Sequence, residues 1–152
     1  MRAIAVAFLL LAACSAGGGS QAGASPPGSP TPSPLAAASG RLHAQVPMPV
    51  SFPADVPIYP GARLTAAAPF TSSGQATWSM EWETLDSVTK VQAFYADKMA
   101  QGDWKIEFGD TSTNAFRATF GRKSDSRVTG TLASNNDSGY TKILMSLVAL
   151  SG

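Results

Sequence analysis

Hydrophobic and polar side chains alternate along several short stretches in the last two thirds of the chain. In the clearest of them, residues 76–83, Trp78, Met80 and Trp82 alternate with threonine, serine and glutamate. Successive side chains of a β-strand point to opposite faces of its sheet, so this period of two predicts a half-buried strand. The same alternation predicts strands at residues 104–108, 116–120 and 128–132, and two further strands are predicted at residues 62–70 and 140–150.

The hydrophobic pattern changes to a helical period after residue 85. Apolar side chains recur at intervals of three or four residues, and one more widens the stripe that they form: Val88, Val91, Tyr95 and Met99, with Phe94 beside them. This spacing predicts an amphipathic helix of about four turns. We expect Asp86 to cap its first turn and Gly102 to end it, because glycine readily takes the left-handed conformation found after helices.

The predicted elements follow the order β-β-α-β-β-β-β, which is an α+β fold. Short turns join most of the strands, so the sheet is expected to be mainly antiparallel. One amphipathic helix is expected to pack on one face of this sheet, and the other face is polar and expected to contact water. The last strand is apolar on both faces, which predicts a central or well-covered position.

Two motifs in this region resemble those of a known family. The segments "VPIYPGA" and "DSVTKVQAFYADKMAQGDW" are similar to a domain of uncharacterised bacterial exported proteins and lipoproteins. The resemblance runs from about residue 57 to the C-terminus, and it implies no activity and no catalytic residues. The chain departs from the family's pattern by placing Asp103 between Gly102 and Trp104.

The motif residues also have structural interpretations. Pro60 presets φ and Gly61 accepts a positive φ, so residues 59–62 predict a type II turn. The aromatic side chains of Phe94, Tyr95 and Trp104 are expected to pack between the helix and the sheet rather than to bind a ligand.

The N-terminus carries the pattern of an exported, lipid-modified protein. Arg2 precedes an apolar run at residues 3–11, which is too short to cross a bilayer and fits a signal peptide. The next residues, Leu11-Ala12-Ala13-Cys14, resemble the lipobox of bacterial lipoproteins, and Cys14 is the only cysteine. The resemblance implies signal cleavage between Ala13 and Cys14 and lipidation of the Cys14 sulfur. A signal peptide with a chance cysteine is the alternative.

The predicted organisation has three parts: a signal peptide at residues 1–13, a tether at 14–48 and a single domain at 49–152. The tether opens with "GGGS", continues with "SPPGSPTPSP" and is expected to be disordered. It is interpreted as a plain spacer, with an O-glycosylated stalk as the alternative. Lipidated Cys14 would anchor the protein to the cell envelope, in the outer membrane if the host has one and otherwise on the outer face of the plasma membrane.

Charge and residue counts exclude several functions. The net charge is +1, and removal of the leader leaves 10 basic and 10 acidic side chains, so no basic surface for nucleic acid is expected. The only histidine, His43, lies in the proline-rich lead-in and is expected to be solvated. With one histidine and no spare thiol, we expect no zinc site, no catalytic triad and no cofactor.

Two carboxylates are the remaining candidates for catalysis. Glu81 and Glu83 share one face of a predicted strand, about 7 Å apart, a separation that inverting glycosidases use. Alternatively, they are exposed charges that pair across strands with Lys105, Arg117 and Arg127, and we favour this interpretation. The run of residues 135–137 is interpreted as a turn rather than a calcium site, because it lacks the spacing of a calcium loop.

Three functions remain open from the sequence. The first is a non-catalytic envelope domain whose polar sheet face contacts an envelope protein or a cell-wall polymer. The second is a carrier of an apolar, acyl-type ligand between helix and sheet, and the third is a glycan-cleaving enzyme. A pocket between helix and sheet would favour the carrier, and carboxylates clustered in a cleft would favour the enzyme.

Overall fold

In the computed structural model, residues 41–136 and 139–150 can be described. The predicted signal peptide, Cys14 and most of the predicted tether lie outside this range. The described residues form one helix and six strands, in the predicted order: β1 Arg63–Ser72, β2 Gln75–Thr84, α1 Val88–Ala100, β3 Trp104–Thr111, β4 Ala115–Arg122, β5 Val128–Asn135 and β6 Thr141–Leu150.

The strands form one antiparallel sheet in the order β1-β2-β6-β5-β4-β3. The last strand of the chain, β6, lies between β2 and β5, so the prediction of a central position is confirmed. Strands that follow each other along the chain also pair in the sheet, except β2 and β3, which α1 separates in the sequence. The α+β fold class, with one helix packed on an antiparallel sheet, is confirmed as well.

The inner face of the sheet forms the hydrophobic core. Trp78, Met80 and Trp82 of β2 lie buried beside the apolar residues of β6 with which they are in register. The helix covers this face over β3, β4 and β5. Its buried side chains are the predicted stripe, each at most 1% exposed: Val88, Val91, Tyr95 and Met99.

The two ends of α1 are set by neighbouring residues in the sequence. The N-cap is Ser87, whose hydroxyl accepts a hydrogen bond from the backbone N–H of Lys90. The prediction of Asp86 as the cap was wrong by one residue, because the Asp86 carboxylate binds side chains instead. Gly102 follows the helix with φ 69°, in the left-handed region, as predicted.

The proline-rich segment before β1 covers the part of the inner face that α1 leaves open. The Phe52 ring meets the rings of Trp78 and Trp82 edge-on, with centroids 6.3 and 6.2 Å apart. The indole N–H of Trp78 donates to Ser51 Oγ, and that of Trp104 donates to the carbonyl of Asp55, both at 3.1 Å. The segment is therefore part of the core layer.

Contacts of the domain also begin before residue 49. The backbone N–H of Val46 donates to the carbonyl of Leu64 at 2.9 Å, and the guanidinium of Arg63 donates to the carbonyl of His43 at 2.9 Å. Residues 43–46, which the sequence placed in the tether, therefore lie against β1.

The turn before β1 exists, but it is not the predicted type. The N–H of Ala62 donates to the carbonyl of Tyr59 at 3.0 Å, which closes a four-residue turn. The positive-φ glycines of the described residues do not include Gly61, and a type II turn requires a positive φ at that position. Space explains the glycine instead, since a Cβ at Gly61 would lie 3.1 Å from both Asp86 Oδ2 and Tyr59 Cε1.

Candidate functional site

The face of the sheet opposite α1, called here the outer face, is uncovered within the described residues. Its side chains alternate with the buried ones, as the period of two requires. Strand register brings hydroxyl groups side by side across four neighbouring strands, because Thr119 pairs with Thr131, Thr131 with Ser146 and Ser146 with Ser79. We call these four residues the hydroxyl row.

Two adjoining depressions lie on the outer face over β3, β4, β5 and part of β6, and together they are called the outer-face groove. Their volumes are about 420 and 540 Å³, and Glu107, Thr119 and Thr131 line both. The first contains Gly121, which has no side chain on the outer face and so keeps the floor low. The groove therefore lies where the hydroxyl row crosses the strands.

Three charged side chains border the groove, namely Lys105, Glu107 and Arg117. Each is exposed, and none makes an ion pair within the described part of the chain. The expectation that Lys105 and Arg117 pair with Glu81 and Glu83 was therefore wrong.

Arg127 was the third basic residue expected to pair with the two glutamates, and this was also wrong. It pairs with Asp125 at 3.0 Å instead, two residues away in the same turn.

A second polar cluster surrounds the end of β2. The Glu83 carboxylate is completely buried and accepts two hydrogen bonds from His43, one from the backbone N–H at 2.9 Å and one from Nδ1 at 2.7 Å. Burial alone would raise the pKa of Glu83, but the bonds from His43 and the charge of Lys142 hold that pKa below its usual value. The expectation of an exposed Glu83 was wrong.

His43 is fixed in place although most of its ring contacts solvent. Its side chain is 68% exposed, and its ring meets the Tyr140 ring edge-on with centroids 6.0 Å apart. The expectation of a solvated histidine is thus right for exposure, but it missed the bond to Glu83. No sequence signal pointed to this pair, because 40 residues separate its members.

The other candidate carboxylate also has a partner. Lys142 of β6 donates to Glu81 Oε1 at 3.0 Å, and both side chains are about one-third exposed or less. The hydrogen bond to Glu81 raises the pKa of Lys142. Glu81 and Glu83 therefore bind different cationic or polar partners.

The Tyr59 side chain is held by Asp86. The Tyr59 hydroxyl donates to Asp86 Oδ2 at 2.8 Å, and Lys90 Nζ donates to Oδ1 at 2.9 Å. The bonds from Lys90 and Tyr59 lower the pKa of Asp86, while burial and then Asp86 raise the pKa of Tyr59. This network fastens the "VPIYPGA" turn to the start of α1.

Asp103, the residue by which the chain departs from the family pattern, has a structural role. Its carboxylate accepts hydrogen bonds from the backbone N–H and hydroxyl of Ser124 and from Arg122. The Arg122 guanidinium lies 4.6 Å from the centre of the Trp104 ring and also pairs with Asp55 at 2.7 Å. Asp103 therefore joins the start of β3 to the loop after β4.

Among the described residues, the interior between α1 and the sheet contains two buried hydroxyl oxygens without a well-formed hydrogen bond, Tyr95 Oη and Ser134 Oγ, and the backbone of Tyr59 approaches the first of them. Burial raises the pKa of Tyr95 well above its usual value. The surrounding helix side chains, including Val91 and Met99, are fully buried. The outer-face groove lies on the opposite side of the sheet from these groups.

Some sequence predictions have no counterpart in the described range. Ala13 and Cys14 lie outside it, so cleavage and lipidation stay predictions. In the part of the chain that the structure describes, no three histidine, cysteine or acidic side chains come together as a metal site. Across the same residues, the helix is too short and too polar to span a bilayer.

Comparison with known proteins identifies the family of the domain. A START domain-like family model matches residues 64–139, half of the chain, from β1 through β5. No curated protein and no solved structure matched the sequence. One helix packed on a six-stranded antiparallel sheet agrees with this assignment. The chain therefore belongs to the START domain-like family.

Proposed function

We propose that the protein is a bacterial lipoprotein, anchored in the envelope by lipidated Cys14, whose START domain-like domain binds an envelope protein or a cell-wall polymer without catalysis. Its outer sheet face is the binding surface. The anchor rests on the sequence Leu11-Ala12-Ala13-Cys14 behind a short apolar run. Two acyl chains hold a protein in a bilayer far longer than one, so lipidation at this residue suffices for stable attachment.

One observation carries the proposed role of the domain. The groove lies on the uncovered outer face, while the inner face is filled by α1 and the proline-rich segment. Support for a non-catalytic role comes from the two candidate carboxylates, because Glu81 is bound by Lys142 and Glu83 by His43. A pair of acids in a glycosidase must be free to reach the substrate and water.

Metabolic labelling with palmitate tests the anchor. The Cys14→Ala variant is expected to take up no label and to keep its leader, whereas the wild-type chain is labelled and shortened. A Ser15→Ala variant is the matched control and is expected to behave as wild type. Label on the Cys14→Ala variant would refute the lipidation site.

Site-specific photo-crosslinking in native membranes tests the binding face. A photo-crosslinking amino acid at exposed Ser79, in the hydroxyl row, is expected to trap an envelope component. The same amino acid at exposed Ala96 on α1 is the control and is expected to trap none. Crosslinks only from Ala96, or from neither position, would contradict the proposed face.

A second candidate is the carrier of an apolar ligand between helix and sheet. A START domain-like fold is compatible with ligand binding. The Ser134 hydroxyl, which has no partner among the described residues, would suit the polar end of such a ligand. Native mass spectrometry of the full chain, extracted from its own membrane, tests this candidate. A bound lipid that is lost in Ser134→Leu would favour the carrier over the binding face.

A further inference from the structure

The charged side chains around the outer-face groove give it an excess of positive charge. Lys105 and Arg117 are exposed cations that pair with no described acidic residue, and Glu107 is the exposed carboxylate beside them. On the same face, Lys142 is already paired with Glu81. A negatively charged ligand would therefore form ion pairs with Lys105 and Arg117.

The floor and walls of the groove are rich in hydroxyl groups. Thr119, Thr131 and Ser146 of the hydroxyl row line it, together with Thr129. Each hydroxyl can donate one hydrogen bond and accept others. Neighbouring strands are about 4.8 Å apart, so the row offers such groups at a regular spacing across the sheet. This spacing is close to the length of one sugar ring in an extended polysaccharide.

We propose that the outer-face groove binds an anionic glycan, a chain of sugar or polyol units that carry carboxylates or phosphates. The glycan lies across the strands, along the hydroxyl row. Its hydroxyls exchange hydrogen bonds with Thr119, Thr131 and Ser146, and its anionic groups contact Lys105 and Arg117. The inference rests on the proposed function, because it names the class of partner for the same face.

Other occupants fit these features less well. An apolar ligand would cover the threonine hydroxyls and leave them without hydrogen bonds, which is costly. A second copy of the chain brings the same excess of cations, Lys105 and Arg117, to the contact and so does not neutralise it. An anionic glycan satisfies both the hydroxyls and the charge.

Fluorescence anisotropy with labelled oligosaccharides tests the proposal on the full chain in detergent. The probes are hexagalacturonic acid, a glycerol phosphate oligomer and cellohexaose, which carry carboxylates, phosphates and no charge. Binding of at least one anionic probe, tighter than cellohexaose and weakened by added salt, is expected. The better anionic probe identifies the acidic group that the groove accepts.

Variants locate the binding and supply the control. Lys105→Gln and Arg117→Gln are each expected to raise Kd about threefold to tenfold, and Glu107→Gln to lower it. Thr131→Val, which removes one hydroxyl at constant shape, is also expected to weaken binding. Lys98→Gln removes an exposed cation on α1, across the domain from the groove, and is expected to leave Kd unchanged. Melting temperatures verify that each variant is folded.

Three results would overturn the inference. In the first, neither anionic probe binds. In the second, Lys98→Gln weakens glycan binding as much as Lys105→Gln does. In the third, sedimentation shows that the protein self-associates through this face. The crosslinking experiment at Ser79 distinguishes a wrong ligand class from a wrong binding face. If Ser79 traps an envelope protein while the glycans do not bind, the binding face stands and the glycan is refuted.

Discussion

Removing the His43 side chain is expected to destabilise the domain, because it leaves the buried Glu83 carboxylate with one fewer hydrogen bond. In His43→Ala the backbone N–H of residue 43 can still donate to Glu83, but the bond from Nδ1 at 2.7 Å is lost. Edge-on packing of the His43 ring against Tyr140 is lost as well.

The size of this effect follows from burial. Breaking a pair in which both partners are buried costs about 3–5 kcal/mol, and losing a hydrogen bond to a charged group costs about 1.5–3 kcal/mol. The His43 side chain is 68% exposed, so solvent screens part of its attraction and the lower range applies. We expect a loss of about 2 kcal/mol and a fall in Tm of about 10 °C for a domain of this size.

The pH dependence gives a second measurement on Glu83 itself. Its pKa is lower in the folded than in the unfolded chain, so the carboxylate stabilises the fold above its unfolded pKa of about 4.3. This contribution is lost as the pH falls through the folded pKa. Glu83→Gln is therefore expected to be less stable than wild type at pH 7, with the difference shrinking below about pH 4.

Urea unfolding of the full chain, followed by tryptophan fluorescence, measures both effects. Glu107→Gln is the matched control, since it removes an exposed carboxylate without an ion pair in the described structure, and it is expected to change stability by less than about 0.5 kcal/mol. The reasoning is refuted if His43→Ala changes stability no more than this control, or if the Glu83→Gln difference is the same at pH 3 and pH 7.

Three further predictions follow from the packing. Trp104→Ala is expected to cost about 3–5 kcal/mol, as Trp104 is 3% exposed and packs on Phe120, and a thermal melt that matches wild type would contradict this core role. Tyr59→Phe loses the hydrogen bond to Asp86 and is expected to cost about 1 kcal/mol in urea unfolding, whereas no change would show that this bond is dispensable. Limited proteolysis with mass spectrometry is expected to leave a resistant fragment that begins before His43, and cleavage between residues 43 and 49 at the rate of the tether would argue otherwise.

The parts of the fold that depend on local spacing were predictable. Apolar residues spaced three or four positions apart lie on one face of a helix, so the sequence predicted that this stripe is buried. Val91 and Met99 are indeed fully buried. The alternation in β2 likewise identified its buried tryptophans. The helix cap was missed by one residue, because both Asp86 and Ser87 are suitable caps and the choice depends on Tyr59, a distant neighbour.

The candidate site was predictable only in part. A polar outer face followed from the alternation, but the groove depends on the register of four strands, which one strand's pattern does not contain. Glu83 was misread for the same reason. Alternation places it on the outer face, and its burial there and its hydrogen bonds to His43, 40 residues earlier in the chain, arise only in the folded protein.

The central position of β6 has a consequence for how the domain folds. Without residues 141–150, β1 and β2 can pair only with each other and β3 to β5 only among themselves, as two separate pieces, because only β6 connects them in the sheet. Both pieces then expose unpaired strand edges, at β2 and at β5. The sheet is completed only when its C-terminal strand inserts between them, so the fold needs nearly the whole chain before it can form.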